Sequence, residues 1–219
     1  MYPLRSLGIL LVCCLTSNVG LSAVQSKTVE YTDNEITMKG YLAWDDKTST
    51  PRPGILVVHE WWGNNEYAHK RARMLAEAGY LALAIDMYGD GKVAKHPDQA
   101  SAFSSAAMAS LPTAEKRFNA AADLLNKHPL MQKNQLGAIG YCFGGGVVLH
   151  MARAGANLKS VASFHGTLTD KIKAEKNKIK PRILVLHGAD DAFIPQEKVK
   201  AFEDEMQNAQ ADFKVIQYP

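Results

Sequence analysis

Four uninterrupted apolar runs limit what this chain can fold into: "GILVVH" at 54–59, "YLALAID" at 80–86, "QLGAIG" at 135–140 and "RILVLHG" at 182–188. None shows the alternation of a strand wetted on one side, and their length suits strands rather than helices. Strands buried on both faces belong to parallel sheets covered by helices. The segments between them supply those helices. "NEYAHKRARMLAEAG" sets Tyr67, Met74, Leu75 and Ala78 on one helical stripe and stops at Gly79. "PDQASAFSSAAMAS", "TAEKRFNAAADLLNKH", "GGVVLHMARAG" and "QEKVKAFEDEMQNAQ" also have helical character, and "SVASFHG" and "DFKVIQYP" are further strands. The alternation predicts an α/β fold, a mostly parallel sheet with helices on both faces. Two alternating runs near the start, "KTVEY" and "ITMKGYLAW", predict a hairpin at a sheet edge. There is no internal repeat and no linker, so residues 24–219 are expected to form one domain.

Residues 1–23 stand apart. "MYPLRSLGILLVCCLTSNVGLSA" has an early Arg5, an apolar centre from Leu7 to Leu15 and small polar residues leading to Ala23. This is the layout of a secretory signal peptide and predicts a secreted or periplasmic protein. The apolar centre is short for a bilayer, and no other segment predicts a stable membrane span. Loss of the signal would remove Cys13 and Cys14. Cys142 would then be the only cysteine of the mature chain, without an intrachain partner in a disulfide-permissive compartment. Such a cysteine is either an apolar filler or a working thiol. The net charge is only +3, and much of the lysine sits in "DKIKAEKNKIKPR", a solvated connection. No nucleic-acid-binding signature accompanies it. Cys and His are not spaced as metal ligands, and no metal or organic cofactor is implied.

In an open α/β sheet, ligands bind at the carboxyl ends of the strands. Cys142 lies just past the strand at 135–140, and Gly140, Cys142 and Gly144 form G-x-C-x-G. This is the thiol form of the G-x-S-x-G turn that lifts a nucleophile between a strand and a helix. Glycines two before and two after remove the collisions of so sharp a turn. Gly145 and Gly146 are expected to let the next helix approach the sheet. The turn also sets the thiol at a helix N-terminus, which favours thiolate. The Phe143 N–H faces the same space and can hold an oxyanion. The competing reading is an inert Cys142 inside a glycine-rich phosphate turn.

Two other strand ends supply partners. "GADDAFIP" offers Asp190 and Asp191 as the acid that orients a histidine, and the D-x-F-I-P turn favours Asp191. "VVHEWWGNNEY" places Glu60 and Trp61 beside the cysteine strand. The Trp61 N–H is a candidate second oxyanion donor, Glu60 a partner that keeps the resting thiol protonated, and Trp62 a pocket wall. Plain core packing is the alternative for both tryptophans.

Taken in order and spacing, "VVHEWWG", "DMYGDG", "GYCFGG" and "HGADDAFIP" resemble the dienelactone hydrolase family of α/β-hydrolases over nearly the whole of 24–219. The resemblance implies cleavage of a lactone or small carboxylic ester. It also implies a Cys–Asp–His triad with Cys142 as nucleophile and Asp191 as acid. Glu60 would partner the resting thiol, and Trp61 and Phe143 would form the oxyanion hole. Two features depart from the family pattern. Asp90 stands where dienelactone-cleaving members carry an arginine for the substrate carboxylate; Tyr88, beside it, remains a pocket candidate. The triad histidine should follow the last strand, yet none of the seven histidines does. The expectation is therefore a chain cut before that histidine, with His165 as a pocket-lining residue. A non-catalytic binding protein on the same fold is the rival reading, and a thiol transferase or peroxide-reducing enzyme is another.

Overall fold

A computed structural model describes residues 24–169 and 171–219. The segment expected to be a signal peptide lies outside the described residues. The elements in chain order are β1 (Val24–Asp33), β2 (Ile36–Asp45), β3 (Arg52–Val58), α1 (Glu66–Glu77), β4 (Leu81–Ile85), α2 (Pro97–Ala109), α3 (Leu111–Asn126), β5 (Met131–Tyr141), α4 (Phe143–Arg153), β6 (Ser160–Phe164), β7 (Arg182–Gly188), α5 (Gln196–Asn208) and β8 (Phe213–Tyr218). One sheet holds all eight strands in the order β1-β2-β4-β3-β5-β6-β7-β8. β1 pairs with β2, and β2 with β4, in antiparallel fashion, and the other neighbours are parallel. This is the mostly parallel α/β arrangement expected from the apolar runs, with the hairpin at one edge, and it agrees with the α/β-hydrolase fold that the resemblance implies.

From β3 the chain crosses to β4 on one side and later returns to β5 on the other. That reversal is the switch point at which open α/β sheets form their ligand crevices. Val58 of β3 is level with Gly140 of β5, so the turns after these two strands lie side by side.

The helices divide between the faces. α1 lays Ala68, Ala72 and Ala76 on Ala43, Val57, Ala82 and Ala84, all of them at most 1% exposed. This corrects the expected stripe. Ala78 is only the helix C-cap, and Tyr67 and Met74 are among the exposed large apolar residues. Small side chains on both partners let the helix sit close to the sheet. Tyr67 instead packs under the Arg71 guanidinium, 4.8 Å from its ring. The opposite face carries α3, α4 and α5, whose Phe118, Val147, Val148 and Phe202 join Leu56, Leu83, Val161 and Val185 in the main core.

Candidate active site

β5 and α4 meet at Cys142, whose φ of 52° and ψ of −113° are strained for a residue with a side chain. Its N–H donates to the Phe164 carbonyl at 2.9 Å, and its own carbonyl accepts the Gly146 N–H at 3.2 Å. The turn is closed so tightly that a Cβ on Gly140 would strike the Gly144 carbonyl, and one on Gly144 the Val58 carbonyl. A Cβ on Gly145 would stand 2.6 Å from Ser163 Oγ and 2.7 Å from Gly166 Cα. Gly146 differs from these three. A Cβ there would meet only Thr167, no closer than 3.5 Å, an ordinary contact. Close packing of the helix on the sheet therefore rests on Gly145 and not on Gly146.

The half-buried Cys142 thiol has its pKa pushed up. Burial is the chief cause, and the carboxylates of Glu60 and Asp191 act in the same direction. The Phe143 N–H points at the sulfur and favours thiolate, but it does not prevail. The expected help from the helix end is thus outweighed, and the resting group is a thiol.

Asp191 sits in the turn after β7, its side chain 5% exposed, whereas the adjacent Asp190 is exposed. Oδ1 accepts the Phe193 N–H at 2.9 Å. Nδ1 of His165 lies 2.5 Å from Oδ2, and Nδ1 of the buried His187 lies 3.9 Å from it. Burial raises the pKa of this carboxyl, but the Phe193 N–H and the two histidines more than offset it and hold the group below its ordinary range. Even so, among the described residues no donor makes a hydrogen bond of ordinary geometry to Oδ2. A cavity of about 510 Å³ opens over these groups. Trp61, Cys142, His165, Thr167, Leu168, Phe193, Ile194 and Lys198 line it.

Residues 38–219 match the family model described as the dienelactone hydrolase family. The chain belongs to the dienelactone hydrolase family. Membership makes it a hydrolase of the carboxylic ester and lactone class. Among its relatives is protein usf of Aquifex pyrophilus, 27% identical over 198 residues, which span 87% of this chain and 82% of that protein. Two solved structures share the fold at a TM-score of 0.85, each over 90% of this chain and 82% of theirs. One is "m3DLH", 33% identical. The other is a dienelactone hydrolase-like promiscuous phosphotriesterase, P91, from metagenomic libraries, 36% identical.

In this family member the predicted site residues fall just past the ends of five strands, β3, β4, β5, β6 and β7. Cys142, Trp61 and His165 share the large cavity. Glu60 is half-buried at the end of β3 and reaches the thiol through its charge. Trp62 stands edge-on to Trp61 with ring centres 5.3 Å apart, and its carbonyl accepts the Ala94 N–H at 2.8 Å; it is not among the residues lining the cavity. Tyr88 also lies outside that lining, and its hydroxyl donates to the Trp61 carbonyl at 2.9 Å. Burial raises the phenol pKa, so this donor stays protonated. The Phe143 ring packs beside Tyr88, with centres 5.6 Å apart. Asp90 is exposed and paired with Lys92 at 3.2 Å.

Sequence reasoning missed two supports of the site. Asp86 is fully buried, and its carboxylate accepts the N–H groups of Tyr88 and Gly89 at 2.8 Å, Gly91 at 2.9 Å and Lys39 at 3.1 Å. It builds the turn that carries Tyr88 to Trp61. An Asp followed by glycines three and five residues later was the available signal. His59, also buried, donates from Nδ1 to the Glu60 carbonyl at 2.5 Å and accepts the Met87 N–H on Nε2 at 3.3 Å. Burial lowers its pKa to about 4, so it remains a neutral brace between the Glu60 and Tyr88 turns.

Proposed function

We propose that this protein cleaves a small carboxylic ester or lactone through Cys142, with Asp191 as the acid of a Cys–Asp–His triad. The observation that carries the reading is the strained Cys142 turn, set at the sheet's switch point and opening into a cavity shared with Trp61 and His165. The resting thiol is neutral, kept so by burial and by the charges of Glu60 and Asp191. A bound carbonyl would meet the sulfur as a base takes its proton. Sulfur forms a bond to the carbonyl carbon, and the oxygen takes the π electrons as an oxyanion. The N–H groups of Phe143 and Trp61 are the donors assigned to it. Collapse expels the alcohol oxygen, which takes the proton, and leaves an acyl-thioester on Cys142. Water then attacks the thioester and releases the acid. The base is assigned to a histidine in chain following β8, where the unaligned Oδ2 of Asp191 would receive its N–H. A second reading gives this role to His165, whose Nδ1 already lies 2.5 Å from Oδ2. The protein is further proposed to work outside the cytoplasm, on the strength of residues 1–23 alone.

Mixing the protein with p-nitrophenyl acetate and quenching within seconds tests the nucleophile. Mass spectrometry should find one acetyl group on the peptide containing Cys142, and none in Cys142→Ala. An acetyl group that persists elsewhere in Cys142→Ala, with equal nitrophenolate release, would remove the assignment.

A further inference from the structure

A second cleft adjoins the large cavity. It measures about 220 Å³ and is walled by Met108, Leu111, Phe143, Gly146 and Val147, with Thr167 shared between the two spaces and Thr169 and Lys171 at its polar side, the Lys171 ammonium donating to the Met108 carbonyl at 3.2 Å. Met108 and Leu111 come from the junction of α2 and α3, and Phe143, Gly146 and Val147 from the first two turns of α4. The walls are mostly apolar. Its volume exceeds the roughly 150 Å³ of an engineered apolar cavity that takes up benzene.

Gly146 is the informative wall. Its neighbours in the G-G-G run are fixed by collisions, but Gly146 has room for a Cβ and no left-handed φ. A glycine inside a helix costs about 0.5–1 kcal/mol relative to alanine. Neither the backbone nor the packing explains this one. The missing side chain leaves the cleft open one turn beyond the nucleophile. The half-buried state of Gly146, between buried Gly145 and buried Val147, agrees with a backbone facing open space.

We propose that this cleft is an acyl-chain subsite, accepting a phenyl group or an alkyl chain of about four to six carbons attached to the reacting carbonyl. The proposal rests on Cys142 being the nucleophile. Phe143 sets the direction: its N–H is the assigned oxyanion donor and its ring walls the cleft. The proposed pose sets the carbonyl oxygen at the Phe143 N–H and turns the acyl substituent past the Phe143 ring into this cleft. The leaving alcohol faces the larger cavity. The substrate class is thus an ester or lactone with a medium apolar acyl part.

The test follows acylation of Cys142 at pH 9, with every protein and ester compared at the same pH. In each reaction the thiolate forms the C–S bond and p-nitrophenolate leaves with the electron pair of the broken C–O bond. Rate constants are measured for p-nitrophenyl acetate, butanoate, hexanoate and phenylacetate. The unaltered protein should prefer hexanoate and phenylacetate to acetate. In Gly146→Leu the hexanoate-to-acetate ratio should fall at least tenfold. Met108→Trp, which fills the cleft from the opposite wall, should lower the same ratio, and it serves if Gly146→Leu does not fold. Gly146→Ala should keep most of the preference. An equal loss for all four esters, or an unchanged ratio in both filled variants, overturns the subsite. Binding of benzyl alcohol, read by saturation-transfer NMR, separates the two claims. If no ester acylates Cys142 but benzyl alcohol binds and is excluded by Gly146→Leu, the cleft stands and the nucleophile assignment falls. If benzyl alcohol binds equally to both proteins, the cleft falls.

Discussion

The sheet face under α1 is two different surfaces. On β2, β4 and β3 it consists of Ala43, Ala82, Ala84 and Val57, sealed by the alanines of α1. The parallel register carries the same face across to Ile139 of β5, Ala162 of β6 and Leu184 of β7. One step along it reaches Tyr141, Phe164, Leu186 and Ile216. These residues are larger, yet all are only half-buried. A cleft of about 350 Å³ runs over part of this region, lined by Ile139, Ala162 and Leu184. Where a helix lies close, the sequence uses small side chains. In the row of large apolar ones, Tyr141 still meets Tyr67 and Arg71 of α1, whereas Phe164, Leu186 and Ile216 lie under no described helix. Apolar residues of this size on a central sheet call for a cover. The uncovered half is also the half beside Asp191, whose Oδ2 has no aligned donor. Both features lie at one place, next to β8, where the histidine-bearing segment of the proposed triad would sit.

The largest expected effect tests that link. If the proposed histidine follows β8, a chain extended past Pro219 to include it should turn over p-nitrophenyl acetate about 10²–10⁴-fold faster than the 219-residue form, the usual contribution of a positioned base. It should also bind less of an apolar dye such as ANS. Equal turnover, lost in His165→Asn, would give the base role to His165 and leave the open face to another partner.

The next effect belongs to the end of β3. His59 is fully buried with a pKa near 4, against 6.5 in a model peptide. Between pH 6.5 and 4 the unfolded chain binds a proton there and the folded chain does not. Stability therefore falls as pH drops through this window, by up to about 3 kcal/mol. Urea titrations from pH 7 to 4 on the protein and on His59→Asn measure this part. A slope that persists in His59→Asn would assign the acid sensitivity to other groups.

The two halves should also differ in their tolerance of truncation. Val57 is fully buried beneath α1, so Val57→Ala should cost about 2 kcal/mol. Leu184→Ala on the half-open face should cost about 1 kcal/mol or less, although it removes more atoms. Denaturant midpoints decide between them. The reverse order would mean that the open half is as tightly packed as the sealed one.

These contrasts explain which parts were legible in the sequence. The continuous apolar runs gave the parallel strands, because burial on both faces erases alternation. The glycines around Cys142 gave the turn, because backbone collisions leave no other choice. The buried face of α1 is not legible in the same way: of the expected stripe Leu75 packs inward, but a helix that must sit close to the sheet buries alanine and turns Tyr67 and Met74 outward. The strand-end position of His165 predicts its place in the pocket, but its approach to Asp191 depends on where loops from β6 and β7 meet, and no local pattern encodes that. Asp86 is hard to recognise because a buried carboxylate serving four backbone N–H groups looks, in sequence, like any loop aspartate.

The smallest expected effect lies at the border between the halves, where Glu60 from β3 faces Cys142 from β5. Burial is the main reason the thiol resists ionisation, and the Glu60 charge adds to it. Glu60→Gln keeps the shape and removes the charge, so the thiolate becomes easier to form. Glu60 is half-buried and solvent screens the interaction, so pairs of this kind contribute about 0.2–1 kcal/mol. Alkylation by iodoacetamide at pH 7.5 should therefore quicken by about 1.5- to 5-fold, with the pH–rate curve displaced to lower pH and its plateau unchanged. A raised plateau without displacement would mean that Glu60 shields the sulfur sterically. A displacement to higher pH would mean that Glu60 draws the proton from the thiol, and the description of its charge as holding the resting thiol neutral would be wrong.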